Sequence, residues 1–282
     1  MGMLTTSGLS VSFGGKRAVD SFDLDVKAGS LVGLIGPNGA GKTTTIDAIT
    51  GFVPAQGSVL FDGTDISGLS STMRARTGLG RTWQSSELFD DLTVMENLQV
   101  ASERVDVRGF LRDLFRPRND DVSELMVILE SLDLADSADV LPTDLSHGQR
   151  KLVGVARALA AKPKVLCMDE PAAGLDTEES QTLGGRIRAL VDGGLSVLLI
   201  DHDMGLVLTI CDYLYVLDFG QLIAEGTPAE IRANSKVITA YLGERHGGGS
   251  DPTGDDGAPV DRAPVDGAPV DGAPVGEVGV GE

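Results

Sequence analysis

Three short stretches carry residues whose types and spacing could do chemistry. The first is "GPNGAGKTT", Gly36 to Thr44, which follows the apolar run "LVGLI" and precedes a helix-forming segment. Gly36, Gly39 and Gly41 let backbone N–H groups wrap a phosphate with no Cβ in the way. In this phosphate-loop spacing Lys42 would reach the β- and γ-phosphates and the Thr43 hydroxyl would bind Mg2+; Pro37, Asn38, Ala40 and Thr44 complete the candidate cradle. A glycine-rich turn that merely opened a helix would not need Lys and Thr in that register. The second stretch is "KVLCMDEP", where four apolar residues, Val165 to Met168, put Asp169 at a strand end. A carboxylate there can hold Mg2+ through water, and the adjacent Glu170 can take a proton from an attacking water. The third is "SVLLIDHD", whose His202 stands at another strand end and reads either as a structural histidine or as a group that contacts a γ-phosphate and senses its loss. Gln84 in "GRTWQ" can serve as a neutral ligand to Mg2+ or to the nucleophilic water.

A second piece of anion-binding equipment stands roughly a hundred residues after the first. In "DLSHGQRK", Asp144 to Lys151, Ser146 can cap a helix and Gly148 allows close backbone approach, so donors would point outward from a helix start. One ligand does not need two such sites in one chain.

These residues need elements to hold them. Three apolar runs end in the residues of interest, which suits an open parallel sheet whose ligands gather at the carboxyl ends of its strands. Between about residues 87 and 160 the pattern turns helical, with "SELMVILESLDLADSA" and "QRKLVGVARALAAK" as amphipathic candidates. The expected fold is α/β with a helical insertion. After "GERHGGGS" a five-residue unit of Asp, Gly, Ala, Pro and Val repeats, and residues 247–282 are expected to form a disordered tail, leaving 1–246 as the folded domain.

Forty-two acidic residues against 23 basic ones give a net charge of -19, and eight of the carboxylates follow residue 247 against Arg262 alone. That balance repels a nucleic-acid backbone, so no nucleic-acid partner is expected. No run approaches roughly 18 apolar residues, and the opening "MGMLTTSGLSVSF" lacks a charged segment followed by a long apolar one, so the expectation is a cytoplasmic chain. Cys167 and Cys211 sit inside apolar runs and read as reduced core residues.

Taken in order, "GPNGAGKTT", Gln84, "LSHGQ", "VLCMDEP", "AAGLD" and His202 resemble the Walker A, Q-loop, signature, Walker B, D-loop and switch histidine of an ABC-transporter ATPase, over about residues 4 to 245. The resemblance implies a P-loop NTPase (RecA-like) core with an antiparallel β subdomain and an inserted α-helical subdomain, ATP and Mg2+ as cofactors, and hydrolysis coupled to transport. It places Phe13 against adenine and gives Asp176 of the D-loop the task of communicating between two sites. It also accounts for the second anion-binding stretch, since such domains pair head to tail. Ser146, Gly148 and Gln149 of one chain would then close over the ATP held by the other. Implied partners are ABC permease subunits, a second ATPase subunit, identical or not, and indirectly a solute-binding protein. This puts the chain on the inner face of the cell membrane. His147 departs from the glycine commonest at its position, and Leu152 from a frequent arginine.

Within that family, "GLGRTWQSSELFDDLTVMENLQVA" and the ending "GTPAEIRANSKVITAYLGE" are similar to the ATPases of branched-chain amino acid importers. Relatives serving urea or amides, and the lipopolysaccharide exporter, are near, so cargo stays open. The insertion "SERVDVRGFLRDLFRPRNDD" spaces Arg104, Arg108, Arg112 and Arg116 four apart and reads as a basic amphipathic helix, either a solvated face or a contact for a permease loop or lipid head groups. A soluble ABC ATPase of DNA repair or translation is the alternative class. The long coiled-coil insertion and second ATPase domain that would mark it are absent from the sequence.

Overall fold

The computed structural model describes residues 2–83, 88–102 and 120–246. Gln84, the arginine-bearing segment and the repeats expected to form a tail lie outside the described residues.

An antiparallel sheet comes first. Strands β1 (Leu4–Phe13) and β2 (Lys16–Val26) form a hairpin, and β4 (Gln56–Phe61) and β5 (Thr64–Asp65) extend it in the order β2-β1-β4-β5. Alternation along β2, from Val19 through Phe22, Leu24 and Val26, turns one face to the core and the other to solvent. The second sheet runs β10-β9-β3-β8-β7-β6, with β3 (Leu31–Ile35), β6 (Leu79–Arg81), β7 (Val165–Asp169), β8 (Ser196–Ile200), β9 (Tyr213–Asp218) and β10 (Gln221–Gly226). All pairs there are parallel except β9 with β10. Strands β3, β7 and β8 are buried along their whole length, which is why they read as unbroken apolar runs.

Register aligns the ends that matter. Leu34 of β3 and Asp169 of β7 both pair with Ile200 of β8, so the three strands finish at one level. The loops that leave them carry Gly36–Thr44, Glu170 and His202.

Helices cover both faces of this sheet. On one face α1 (Lys42–Thr50) packs Ile46 and Ile49 with Val32, Leu34 and Phe22 beneath the antiparallel sheet, joined at its edge by α2 (Ser71–Thr77). On the other, Leu31 and Ile35 share a core with α3 (Val94–Ser102), α4 (Asp120–Ser131), α5 (His147–Ala160), α6 (Thr177–Asp192) and α7 (Met204–Ile210). Helices α8 (Pro228–Ala233) and α9 (Ser235–His246) follow β10. Cys167 and Cys211 are free and buried, as expected.

One expectation needs correction. The stretch from Ser123 to Ala138 reads as a single amphipathic helix, yet α4 stops at Ser131 and a 3-10 turn holds Ala135–Ser137. Asp133 adopts φ 61°, its N–H donates to Glu130 O, and Leu134 N–H reaches back to Leu129 O. This is a helix-ending turn of the Schellman type with Asp in the position glycine usually fills. It lets Leu132 and Leu134 both enter the core.

Candidate active site

The loop after β3 is shaped by two glycines. Gly36 has φ 151° and Gly41 φ 101°, and a Cβ on Gly41 would lie 2.5 Å from the Ala18 carbonyl oxygen. Gly41 is also the N-cap of α1, so no side chain caps that helix start. Its leading N–H groups and the positive end of the helix dipole face the loop interior. Lys42, 6% exposed, folds back over the loop and donates from Nζ to Gly36 O at 2.7 Å and Pro37 O at 2.9 Å.

Across from the loop, β7 delivers two carboxylates with different surroundings. Asp169 is 2% exposed, and its Oδ1 accepts from the Thr43 hydroxyl at 3.4 Å. Burial pushes its carboxyl pKa up, while Arg81, with Nη2 3.5 Å from Oδ2, works against that rise. Glu170 follows in a left-handed backbone conformation, φ 48°, with its N–H donating to Ile200 O at 2.8 Å. A non-glycine residue is disfavoured there, and the Glu170 N–H is held by the last residue of β8. At the end of β8 the exposed His202 places Nδ1 3.9 Å from Glu170 Oε2 and 3.6 Å from Asp201 Oδ1, charge proximity beyond good hydrogen-bond length.

Asp201 was not singled out by its sequence and is fully buried. It accepts N–H groups from Ala172 at 3.3 Å and Asp203 at 3.0 Å, tying the segment after Glu170 to the segment holding His202. Burial raises its pKa and those N–H groups oppose the rise. Lys151 on α5 is also buried; desolvation lowers its ammonium pKa, and the charges of Asp201 and Glu170 oppose the shift. Arg81 stood in the quoted "GRTWQ" but drew no role. The signal available was a lone arginine in a three-residue strand that would otherwise bury a cation unpaired.

The second anion-binding stretch is folded differently. Ser146 caps α5: its Oγ accepts Gln149 N–H at 3.2 Å while Gln149 Oε1 accepts Ser146 N–H at 3.0 Å. Asp176 and Glu179 form the same reciprocal box on α6. The two helix starts touch, with His147 Nε2 about 3.1 Å from where a Cβ on Gly174 would sit and Glu179 Oε1 at the same distance from one on Gly148. Phe13, at the end of β1, is half exposed and available to a flat ligand. Lys42, Thr43, Asp169, Glu170 and His202 thus gather at the ends of β3, β7 and β8. Ser146, Gly148, Gln149 and Asp176 form a separate cluster at the starts of α5 and α6.

The oxygens of Thr43 and Asp169 are hard donors suited to Mg2+, which usually takes one or two protein ligands and completes its shell with phosphate and water. Among the described residues no group of three or more His, Cys, Asp or Glu side chains could hold a metal by itself. A cavity of about 390 Å³ lies elsewhere, between α1, α2 and the antiparallel sheet, where Arg74 gives its donors to the carbonyls of Ala48, Ile49, Ser67 and Leu69. Its lining includes none of Lys42, Thr43, Asp169, Glu170 and His202.

The family described as ABC transporter matches residues 19–173, and that described as branched-chain amino acid ATP-binding cassette transporter matches residues 221–247. The chain is 41% identical to the high-affinity branched-chain amino acid transport ATP-binding protein BraF of Pseudomonas aeruginosa, over 86% of this chain and 98% of that protein. It is 40% identical to the lipopolysaccharide export system ATP-binding protein LptB of Escherichia coli K12, over 86% and 98%. A solved structure of the ADP conformation of an ATP-binding cassette from an ABC transporter superposes with TM-score 0.77 at 33% identity, covering 86% of this chain and 99% of that one.

Proposed function

The chain belongs to the ABC transporter ATP-binding family, and from that premise we propose that it powers import of branched-chain amino acids or a related small polar solute, such as urea or amides, through a separate permease. That it is the ATP-hydrolysing subunit of an ABC transporter follows from the family itself. The observation that carries the finer reading is the match of residues 221–247 to the branched-chain amino acid cassette family, outside the motifs that all such ATPases share. Identity to LptB supports a second reading, lipopolysaccharide export.

Residues 1–246 act as the nucleotide-binding domain, with about 87–160 as its helical part. Phe13 stacks on adenine, and the segment from Gly36 to Thr44 cradles the phosphates with backbone N–H groups and the Lys42 ammonium. Thr43 and Asp169, with Gln84 as a further ligand, would hold Mg2+, which would supply positive charge against the phosphates. Glu170 accepts the proton as water oxygen attacks the γ-phosphorus and the bond to the bridging oxygen of the β-phosphate breaks, releasing ADP and phosphate, while His202 contacts the γ-phosphate. A second ATPase subunit supplies Ser146, Gly148 and Gln149 in trans, with Asp176 between the two sites. Among the described residues no helix is long and apolar enough to cross a membrane, consistent with a cytoplasmic subunit bound peripherally to permeases and, through them, served by a solute-binding protein. The acidic charge supports no role for nucleic acid.

Two measurements test this. Glu170→Gln should keep ATP affinity and lose turnover by about a hundredfold or more; turnover near that of the unmodified chain would remove Glu170 from the base role. Reconstituted with permease in vesicles, the ATPase should accelerate when a solute-binding protein loaded with a branched-chain amino acid is added. Acceleration by lipopolysaccharide instead would overturn the import reading.

A further inference from the structure

Arg81 occupies a position that the reaction as described does not use. Its side chain is 7% exposed and its guanidinium is pulled three ways. Nη1 donates to Asp47 Oδ1 at 2.5 Å and to Thr50 Oγ1 at 3.3 Å, Nη2 lies 3.5 Å from Asp169 Oδ2, and Cζ stands 4.3 Å above the Trp83 ring and 5.5 Å from the Phe52 ring. Those rings meet edge to face at 4.9 Å and are 44% and 51% exposed. Nε is buried with no hydrogen-bond partner. A buried guanidinium with one donor unmatched and its longer ion pair directed at Asp169 is not at a hydrogen-bonding optimum.

We propose that Arg81 is a positioning residue that competes with a divalent cation for Asp169 and relays the outcome to the exposed Phe52–Trp83 pair. With the Thr43–Asp169 oxygens free of a cation, Arg81 compensates the buried carboxylate. When that carboxylate is neutralised by a dication, Arg81 loses its attraction there, meets repulsion instead, and shifts toward Asp47 and the two aromatic faces. Arg81 thereby sets how much Mg2+ the site requires. The inference rests on reading Thr43 and Asp169 as the metal position.

Trp83 is the chain's single tryptophan, so intrinsic emission reports on the ring beneath Arg81. The experiment titrates MgCl2 into the full chain saturated with ADP at pH 8, after removing divalent ions with EDTA, following emission and, by calorimetry, ADP affinity. The unmodified chain should show a saturable emission change with the same Mg2+ midpoint as the gain in affinity. Arg81→Met should abolish the emission change and lower the midpoint roughly threefold to tenfold, because the competing charge is gone. Asp47→Asn, which frees Arg81 for Asp169 and removes a nearby negative charge, should raise the midpoint by a similar factor. Arg81→Lys should restore the midpoint to within about twofold but not the full emission change, since an ammonium lacks the planar fork. General loosening of the fold would move both neutral variants the same way. Shifts in one direction, no shifts, or full emission change in Arg81→Met would overturn the proposal. Should ADP affinity in the unmodified chain be indifferent to Mg2+, the metal reading of Thr43 and Asp169 fails, and this inference with it.

Discussion

Two helix starts in this chain carry the same elementary property, a cluster of outward-pointing N–H groups, and are finished in opposite ways. At α1 the N-cap is Gly41, no side chain closes the end, and Lys42 lies over the loop. At α5 Ser146 and Gln149 close the end on each other, and Glu179 packs against Gly148. On the reading proposed above, the first receives an anion bound by its own chain. The second satisfies itself in the single chain, and a phosphate offered by a partner, itself an acceptor, would have to compete with Ser146 Oγ for the Gln149 N–H. On the trans role proposed above, waiting for a partner would have a physical form, a capping box exchanged for a better acceptor.

Mixing chains would break this distinction most forcefully. Lys42→Ala and Ser146→Arg homodimers should each lose roughly a hundredfold or more in ATPase rate. A mixture should recover activity, because one composite site in the mixed dimer is intact. Full activity of Ser146→Arg alone, in a preparation shown to be dimeric, would place the Ser146 helix start outside the site. Next comes Gly41→Ser, which gives α1 the capping residue that α5 has. Its Cβ would meet the Ala18 carbonyl in a positive-φ backbone, so nucleotide affinity measured by equilibrium titration should fall about tenfold to a hundredfold.

Ser146→Ala sharpens the contrast from the other side. Removing the cap should destabilise the chain by about 1 kcal/mol in denaturant unfolding while leaving single-chain nucleotide affinity unchanged. Loss of affinity there would mean the two helix starts share a ligand in cis. The smallest effect concerns pH. Asp201 has a raised folded-state pKa, so the folded chain binds this proton more tightly than the unfolded one; the stability it contributes is present below the ordinary carboxylate pKa and lost as pH rises through the raised one. Thermal unfolding of Asp201→Asn should show a flatter pH dependence in that window. An unchanged profile would assign the slope to other groups.

What could be read from the chain follows the range of the interaction. Strands β3, β7 and β8, and the residues at their ends, were legible because burial on two faces leaves an unbroken apolar run and because the phosphate-loop chemistry is contiguous. Arg81 was not, since its meaning depends on β6 lying beside β7 with Arg81 opposite Cys167, a pairing across more than eighty residues. Asp201 was overshadowed by its neighbour His202, although the buried carboxylate makes the structural bonds and the exposed imidazole does not. The early end of α4 was hidden because Asp133 takes a conformation that sequence patterns reserve for glycine. Gln149, expected with Ser146 to face a partner's ligand, has its amide oxygen engaged by the Ser146 N–H in the single chain, a contact between neighbours that the sequence alone does not show.

The backbone at Glu170 bears on how such a chain can change over generations. At φ 48° a side chain is tolerated there only because the surrounding strands insist on it, and glycine would sit in the same place with less strain. Selection for heat tolerance alone would therefore favour discarding the carboxylate, and on the base role proposed for Glu170 selection for turnover would put it back. Residue 170 would then be a point where durability and work pull a lineage in opposite directions, and a more robust version of this ATPase would have to find its added stability elsewhere.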